Sequence, residues 1–288
     1  MATVPTPEPA GPAPVSTTAA PLLDARGVQV TIGGTRILEH ADLLVEAGKL
    51  VAVVGPNGAG KSTLARAVAG LQSLSGGSVR WSGDAVGELR GRELARRRAF
   101  VPQRGQVPAG VTVRQAVQLG RAPHIGALRR ATRHDQDVVE ESIARAGVSA
   151  FADRFLTTLS GGEVQRVQIA VALAQQAPVL MADEPTAHLD LGATATLARL
   201  LRGLTEDGIA VILVVHDLAL AAAVADTVVV MSAGRTVATG APADILDRRL
   251  LADVWRVDAA LQTSDDGHTA LHVDWLRDLA ADPGAGER

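Results

Sequence analysis

The stretch Gly55-Pro56-Asn57-Gly58-Ala59-Gly60-Lys61-Ser62 fits the pattern G-x-x-x-x-G-K-[ST]. It follows the apolar run Lys49 to Val54 and opens a helical pattern. Glycines at this spacing let successive backbone N–H groups curl around phosphate oxygens, and the helix start adds its positive dipole. Lysine is scarce, with Lys49 and Lys61 against 26 arginines, so the point charge of Lys61 has a specific task. It suits the β- and γ-phosphates of a nucleotide; Ser62 suits Mg²⁺, and Thr63 adds a further first-turn group for phosphate. The bland alternative is a glycine-rich turn that only caps a helix. A buried strand before it and a helix after it argue against that.

The run Val179-Leu180-Met181-Ala182-Asp183-Glu184 is an apolar strand ending in two carboxylates. Ionised carboxylates beside a core are costly unless they meet a metal or a partner. Asp183 suits an outer contact to Mg²⁺, and Glu184 suits orienting or deprotonating an attacking water. Alone, the motif equally describes a solvated strand end; beside a phosphate loop it reads as chemistry. Leu159-Ser160-Gly161-Gly162-Glu163 leads into the helical stretch VQRVQIAVALAQQ, with Val164, Val167 and Val171 on one face. Taken alone it is a glycine loop with a capping serine. His216, ending the apolar run Ile209 to Val215, would by itself read as a satisfied core histidine.

In this order along the chain, the phosphate loop, LSGGE, LMADEP, Leu189-Asp190 and His216 resemble the ATP-binding cassette (ABC) family, over about residues 22–258. The resemblance implies an α/β P-loop NTPase with a mainly parallel sheet core. It adds an antiparallel β subdomain and an inserted α-helical subdomain at about 104–158. It implies ATP and Mg²⁺ as ligands and ATP hydrolysis as the activity. Gln103, in FVPQ, matches the family's Q-loop glutamine, which contacts Mg²⁺ and the attacking water and links to the permease. Ser160, Gly161 and Gly162 match the signature that meets the γ-phosphate bound by the opposite subunit. Asp190 matches the D-loop aspartate at the dimer seam, and His216 the switch histidine that contacts the γ-phosphate.

Each motif occurs once, so the resemblance implies a homodimer with composite ATP sites. It further implies a peripheral subunit at the cytoplasmic face of the cell membrane. Such a subunit powers transmembrane permease subunits and is served indirectly by a solute-binding protein. Leu119-Gly120-Arg121-Ala122-Pro123-His124, ELARRRAFVPQ, and HDLALAAAVAD with GAPADIL are similar to the ATPases of iron–siderophore, haem and cobalamin importers. A helix end with a proline stop is the plain alternative for LGRAPH. Zinc or manganese importers and exporters are rival readings. A soluble ABC ATPase acting as a scaffold or nucleic-acid machine is a third, opposed by the single cassette and the lack of large inserted arms.

These residues need strands and helices to hold them. Val28, Val30 and Ile32 alternate with polar residues, a second apolar stretch runs from Ile37 to Val45, and Gly33-Gly34 between them suggests a hairpin. Ser78 to Ser82 and Ala99 to Pro102 read as further strands. From Thr112 to Phe155 the strand signal fades, and VRQAVQLG and HDQDVVEESIARAG carry helical spacing, with Val139, Ile143 and Ala146 on one face. A helix from Gly162 follows, then strand Val179 to Asp183, a helix after Asp190, strand Ile209 to Val215, a short helix, and strand Thr227 to Met231. That alternation implies a parallel sheet covered by helices.

The 288 residues are 47% apolar and 20% charged, which excludes wholesale disorder. Cysteine is absent, so no disulfide or thiolate chemistry is available. A net charge of −3 offers no basic field for nucleic acid or anionic lipid, and 2% aromatics argue against base-stacking platforms. Residues 1–21 read as a disordered extension without the basic and apolar regions of a signal peptide. In the most membrane-like window, 209–231, the longest unbroken apolar run is Leu218 to Ala225, short of the ~20 residues a span needs. Residues 259–288 read as a C-terminal tail, with His268 and His272 on an exposed strand. Arg96-Arg97-Arg98 reads as a solvated helix face and Trp81 as core or adenine-proximal packing. The family's adenine-stacking aromatic has no counterpart between Leu22 and Gly55; Ile32 takes its position.

Overall fold

A computed structural model of the chain describes residues 20–103, 109–125, 130–187, 189–263 and 269–276. β1 (Leu23–Ile32) and β2 (Thr35–Val45) form the expected hairpin, and β3 (Leu50–Val54), buried throughout, feeds α1 (Lys61–Val68). β4 (Gly76–Trp81) and β5 (Asp84–Ala85) extend the antiparallel end, and α2 (Gly91–Ala95) precedes β6 (Arg98–Val101). The helical insert holds α3 (Val113–Leu119) and α4 (Arg133–Arg145), then two 3-10 turns lead into α5 (Gly161–Ala174). Next come β7 (Val179–Asp183), α6 (Leu191–Glu206), β8 (Ala210–Val214), α7 (Leu218–Val224), β9 (Thr227–Ser232) and β10 (Arg235–Gly240). α8 (Pro242–Ile245), α9 (Arg248–Trp255), β11 (Asp258–Thr263) and β12 (Thr269–Asp274) close the described chain.

The strands lie in the order β5-β4-β1-β2-β10-β9-β3-β8-β7-β6, and β11 pairs with β12 separately. β6, β7, β8, β3 and β9 are parallel. Three of them, β3, β7 and β8, are buried along their whole length, as strands covered on both faces must be. β10 joins this sheet to the antiparallel end: it runs antiparallel to β9 and meets β2 through one parallel bridge, Arg235 to His40. Its residues, RTVATG, alternate between exposed and half-buried, so no apolar run marks it in the sequence. One core cluster lies between α1 and the sheet, around Leu38, Leu64, Trp81 and Met231. A second packs the opposite face under α5, α6 and α7, and a third, with Val117, Val139 and Ile143, holds the insert together.

One local reading is narrowed in three dimensions and another changes. Trp81 is fully buried and its Nε1 donates to Val68 O at 2.8 Å, so it is core and unavailable to a nucleotide base. Of the arginine run only Arg96 is exposed, and all three residues lie past the end of α2. Arg96 Nε donates to Pro123 O at 3.1 Å, Arg97 bonds Trp81 O and Asp84, and Arg98 donates from Nε to Ala69 O at 2.9 Å. The planar fork of arginine suits main-chain carbonyls that strand and helix ends leave without partners. Beyond residue 258, Leu271 and Val273 of β12 pack on the second core cluster while His272 faces solvent. His268, residues 1–19 and residues 104–108 of the insert lie outside the described residues. Among the described residues, no helix is long and apolar enough to cross a membrane.

The insert carries a buried ion pair. Arg121 of LGRAPH is 3% exposed; its Nε donates to Asp135 Oδ1 at 3.0 Å and its Nη1 to Ala174 O and Gln176 Oε1. Thr132 hydroxyl and amide bonds, with the Arg121 guanidinium, hold the Asp135 carboxyl down at about 2, from an ordinary 3.8. A depressed carboxylate contributes stability above its unfolded pKa and loses it as pH falls through the folded one. That gap corresponds to about 2 kcal/mol. Asp135→Asn is expected to destabilise the protein at pH 7, with the difference from wild type shrinking between pH 4 and 2. Urea unfolding across that range checks it; a pH-independent difference would refute the ion-pair account.

Candidate phosphate and metal site

The phosphate loop is shaped by what stands behind it. A Cβ on Gly55 would lie 2.2 Å from Met231 O of β9, so nothing larger than glycine lets β3 and β9 come this close. Gly60, at φ 97°, is the N-cap of α1 and supplies no side-chain cap; a Cβ there would meet Leu38 Cδ2 at 2.6 Å. The first-turn N–H groups of Lys61, Ser62 and Thr63 therefore open onto the loop, and no acidic residue sits in that turn. Free amides plus the helix dipole make an anion site. Pro56, Asn57 and Gly58 form its exposed or half-exposed crest, and Ala59 is buried beneath.

Lys61 is 5% exposed, and its Nζ donates to Gly55 O at 2.8 Å and Pro56 O at 3.1 Å. Burial lowers its ammonium below the ordinary lysine range, while the charges of Glu184 and Asp183 oppose that drop. Asp183, the last residue of β7, is 1% exposed, and its Oδ1 accepts from Ser62 Oγ at 2.9 Å. Burial raises its carboxyl; the Ser62 bond pulls the other way and the Glu184 charge adds to the rise. Its second oxygen, Oδ2, is buried without a hydrogen-bond partner among the described residues. A buried carboxylate oxygen beside a serine hydroxyl is a hard-oxygen donor set, which fits Mg²⁺.

Glu184 follows at φ 48°, the left-handed region that costs a side-chain residue strain, and is held there by its N–H donating to Val214 O at 2.9 Å. Its Oε2 accepts from Gln103 Nε2 at 2.5 Å, which leaves the Gln103 carbonyl oxygen available for a cation. His216 stands exposed just past β8, the strand hydrogen-bonded between β3 and β7. Gly55, Gln103, Asp183, Glu184 and His216 thus all emerge at the carboxyl ends of neighbouring parallel strands, where open α/β sheets bind ligands.

Ser160, Gly161, Gly162 and Asp190 lie elsewhere. Ser160 caps α5 in a reciprocal box with Glu163, and its amide and hydroxyl hold the Glu163 carboxyl below the usual range. Ser160 and Gly161 are exposed. Asp190 caps α6 through the Ala193 N–H at 2.7 Å, and a Cβ on Gly162 would lie 3.5 Å from the Ala193 Cβ. These two helix starts are neighbours, and among the described residues no hydrogen bond joins them to the phosphate loop. Leu38 and Met231, which shape the loop from behind, were not legible in the sequence, because nothing near them signals which glycine they face.

Residues 38–187 match the family model described as ABC transporter. The chain is 44% identical over 254 residues to a hemin import ATP-binding protein of Rhodococcus jostii, covering 88% of this chain and 83% of that one. It is 47% identical over 225 residues to a cobalamin import ATP-binding protein of Halobacterium salinarum, covering 78% of this chain and 56% of that longer one. Among solved structures, cbiO1 from Clostridium perfringens, part of the ABC transporter complex cbiONQ, superposes with a TM-score of 0.70 at 27% identity, over 78% of this chain and 90% of that one. The glycine cradle, the buried Ser62–Asp183 pair and the strained Glu184 agree with these likenesses: the chain belongs to the ABC transporter family, as an ATP-binding, ATP-hydrolysing subunit.

Proposed function

We propose that two copies of this chain, at the cytoplasmic face of a membrane, close on ATP and power import of haem, cobalamin or an iron–siderophore chelate through separate permease subunits. A solute-binding protein serves that permease. The observation that carries the reading is the separation within one chain. The phosphate loop, Asp183, Glu184 and Gln103 cluster at one sheet edge, whereas among the described residues the Ser160-Gly161-Gly162 turn, exposed at Ser160 and Gly161, and Asp190 have no hydrogen bond to it. A second copy supplies the missing half.

In this reading the α1 amides and Lys61 bind the phosphates, and Ser62, Asp183 and Gln103 hold Mg²⁺. An ion held there would supply positive charge to offset that of the phosphates. Glu184 takes a proton from water as its oxygen bonds to the γ-phosphorus and the bridging bond to ADP breaks. His216 steadies the γ-phosphate, and the partner copy's Ser160, Gly161, Gly162 and Asp190 close the site. Purification from native membranes tests the assembly. An apolar permease accompanied by a solute-binding protein is the expected result, and ribosomes or DNA would overturn it.

Base recognition is expected to be weak. Ile32, 47% exposed at the end of β1, offers one apolar face without aromatic overlap, and Trp81 is buried. ATP and GTP share the phosphate contacts, so they should be hydrolysed at comparable rates. Ile32→Tyr should tighten ATP binding, on a scale of roughly 1–3 kcal/mol borrowed from base stacking. Parallel ATP and GTP titrations decide it; a strong wild-type ATP preference unmoved by the substitution would refute the idea.

A further inference from the structure

We propose that Gln175 and Arg96, backed by His124 and Arg98, form a joint that seats the helical insert on the nucleotide-binding core and so positions both halves of the ATP site. Gln175 is the C-cap of α5. Its side-chain amide donates to Ala95 O and, at 2.8 Å, to Arg98 O, at the start of β6. Its own carbonyl lies 2.8 Å from His124 Nε2; a carbonyl only accepts, so the ring donates from Nε2. Arg96 Nε reaches back from the core side to Pro123 O at 3.1 Å, and Arg98 carries the connection to Ala69 O, the C-cap of α1. One continuous set of side-chain-to-carbonyl bonds thus links the turn after α3, the end of α5, the start of β6 and the end of the phosphate helix.

The insert and α5 are packed as one body. A Cβ on Gly120 would lie 2.2 Å from Val171 O, and Arg121 bonds Ala174 O and Gln176, so α3 and α5 are in backbone contact. The bonds that cross from this body to α2 and β6 in this set are those of Gln175 and Arg96, and an exposed pair, Arg145 with Asp207, ties α4 to the end of α6 at a second point. Leverage makes them matter. α5 runs 14 residues from Gln175 to the signature turn, a rod of about 20 Å, so a tilt of about 5° at the joint moves Ser160 by about 2 Å. β6 starts at the same joint and leads to Gln103, which bonds Glu184. Near ends are clamped together; far ends carry the groups that must meet across the ATP site. Gln175 and Arg96 are positioning residues, because among the described residues neither bonds the phosphate loop or its carboxylates.

The kinetic consequence rests on the function proposed above; the geometric one does not, and the test separates them. The chain has no cysteine, so spin labels can be placed on Glu141→Cys in α4 and Ala195→Cys in α6, both exposed positions. Interspin distances are then measured in the full chain with the joint intact and in the Gln175→Met, Arg96→Met and Arg96→Lys forms. Arg96 is exposed, so its variants do not put folding at risk. The intact joint and Arg96→Lys, which keeps a donor, should give one narrow distribution, and the two methionine variants a broadened or shifted one. In unlabelled chains the methionine variants should lose kcat roughly 10- to 100-fold, the cost of misplaced reacting groups, while ATP affinity stays within about twofold. Unchanged distances in both methionine variants would overturn the joint. So would a kcat loss that Arg96→Lys fails to rescue, or one matched by an equal loss of ATP affinity. If the parent chain hydrolyses no ATP, the proposed function fails and the distances still decide the joint.

Discussion

Glu184→Gln is expected to lower ATP turnover roughly 10²–10⁴-fold, the usual contribution of a positioned base. Glutamine keeps the length and planarity of the side chain, and its carbonyl oxygen can still accept the Gln103 amide bond now made to Oε2. The backbone at φ 48° tolerates either residue equally, since the strain comes from having a Cβ rather than from charge. The substitution therefore isolates the loss of a proton acceptor. Phosphate binding should persist, because the loop, Lys61 and Ser62 are untouched, and the variant should accumulate as an ATP-bound dimer. Steady-state hydrolysis, nucleotide titration and size-exclusion chromatography with ATP check the three parts. Near-wild-type turnover would remove Glu184 from the reaction, and tight binding without dimer would break the composite site.

Lys61→Arg should fail nearly as badly as Lys61→Ala, in a chain that otherwise favours arginine. The ammonium sits at 5% exposure, within 2.8 and 3.1 Å of two loop carbonyls. A guanidinium is larger, planar and differently directed, so it either displaces the loop or swings out of it. Losing a hydrogen bond to a charged group costs about 1.5–3 kcal/mol, which corresponds to roughly a 10- to 150-fold weaker nucleotide. Calorimetric titration reads this directly. Melting temperature without nucleotide supplies the control, because Lys61 also bonds the Gly55 and Pro56 carbonyls and its loss can loosen the loop itself. Undiminished ATP affinity in Lys61→Arg would refute the phosphate contact.

The phosphate loop, the signature turn and the carboxylate-ended strand were legible because each is a local conformation written in consecutive residues. Gly55 and Gly60 announce an unusual backbone, Ser160 and Glu163 announce a helix start, and an apolar run ending in Asp183-Glu184 announces a buried strand with an expensive end. The same logic failed for Arg96-Arg97-Arg98. Three charges in a row look solvated, yet only Arg96 is exposed, and the carbonyls of Pro123, Trp81 and Ala69 take bonds from all three. It failed for β10 as well, since a strand with one half-buried face, where the parallel and antiparallel parts of the sheet meet, needs no apolar run.

What the sequence by itself determined is the set of parts: which segments form glycine loops, which strands are buried on both faces, and where helices begin. Tertiary structure alone decided who meets whom. Ser62 and Asp183 stand 121 residues apart, and Gln103 and Glu184 81 apart, yet each pair shares a hydrogen bond. Those pairings follow from the sheet order, which sets β6, β7, β8 and β3 side by side and aims their carboxyl ends at one edge. Periodicity and turn chemistry specify a residue's own backbone, within a few neighbours. The partner of a buried donor or acceptor is chosen by which strands lie adjacent, and that is settled by burying apolar area across the whole chain at once.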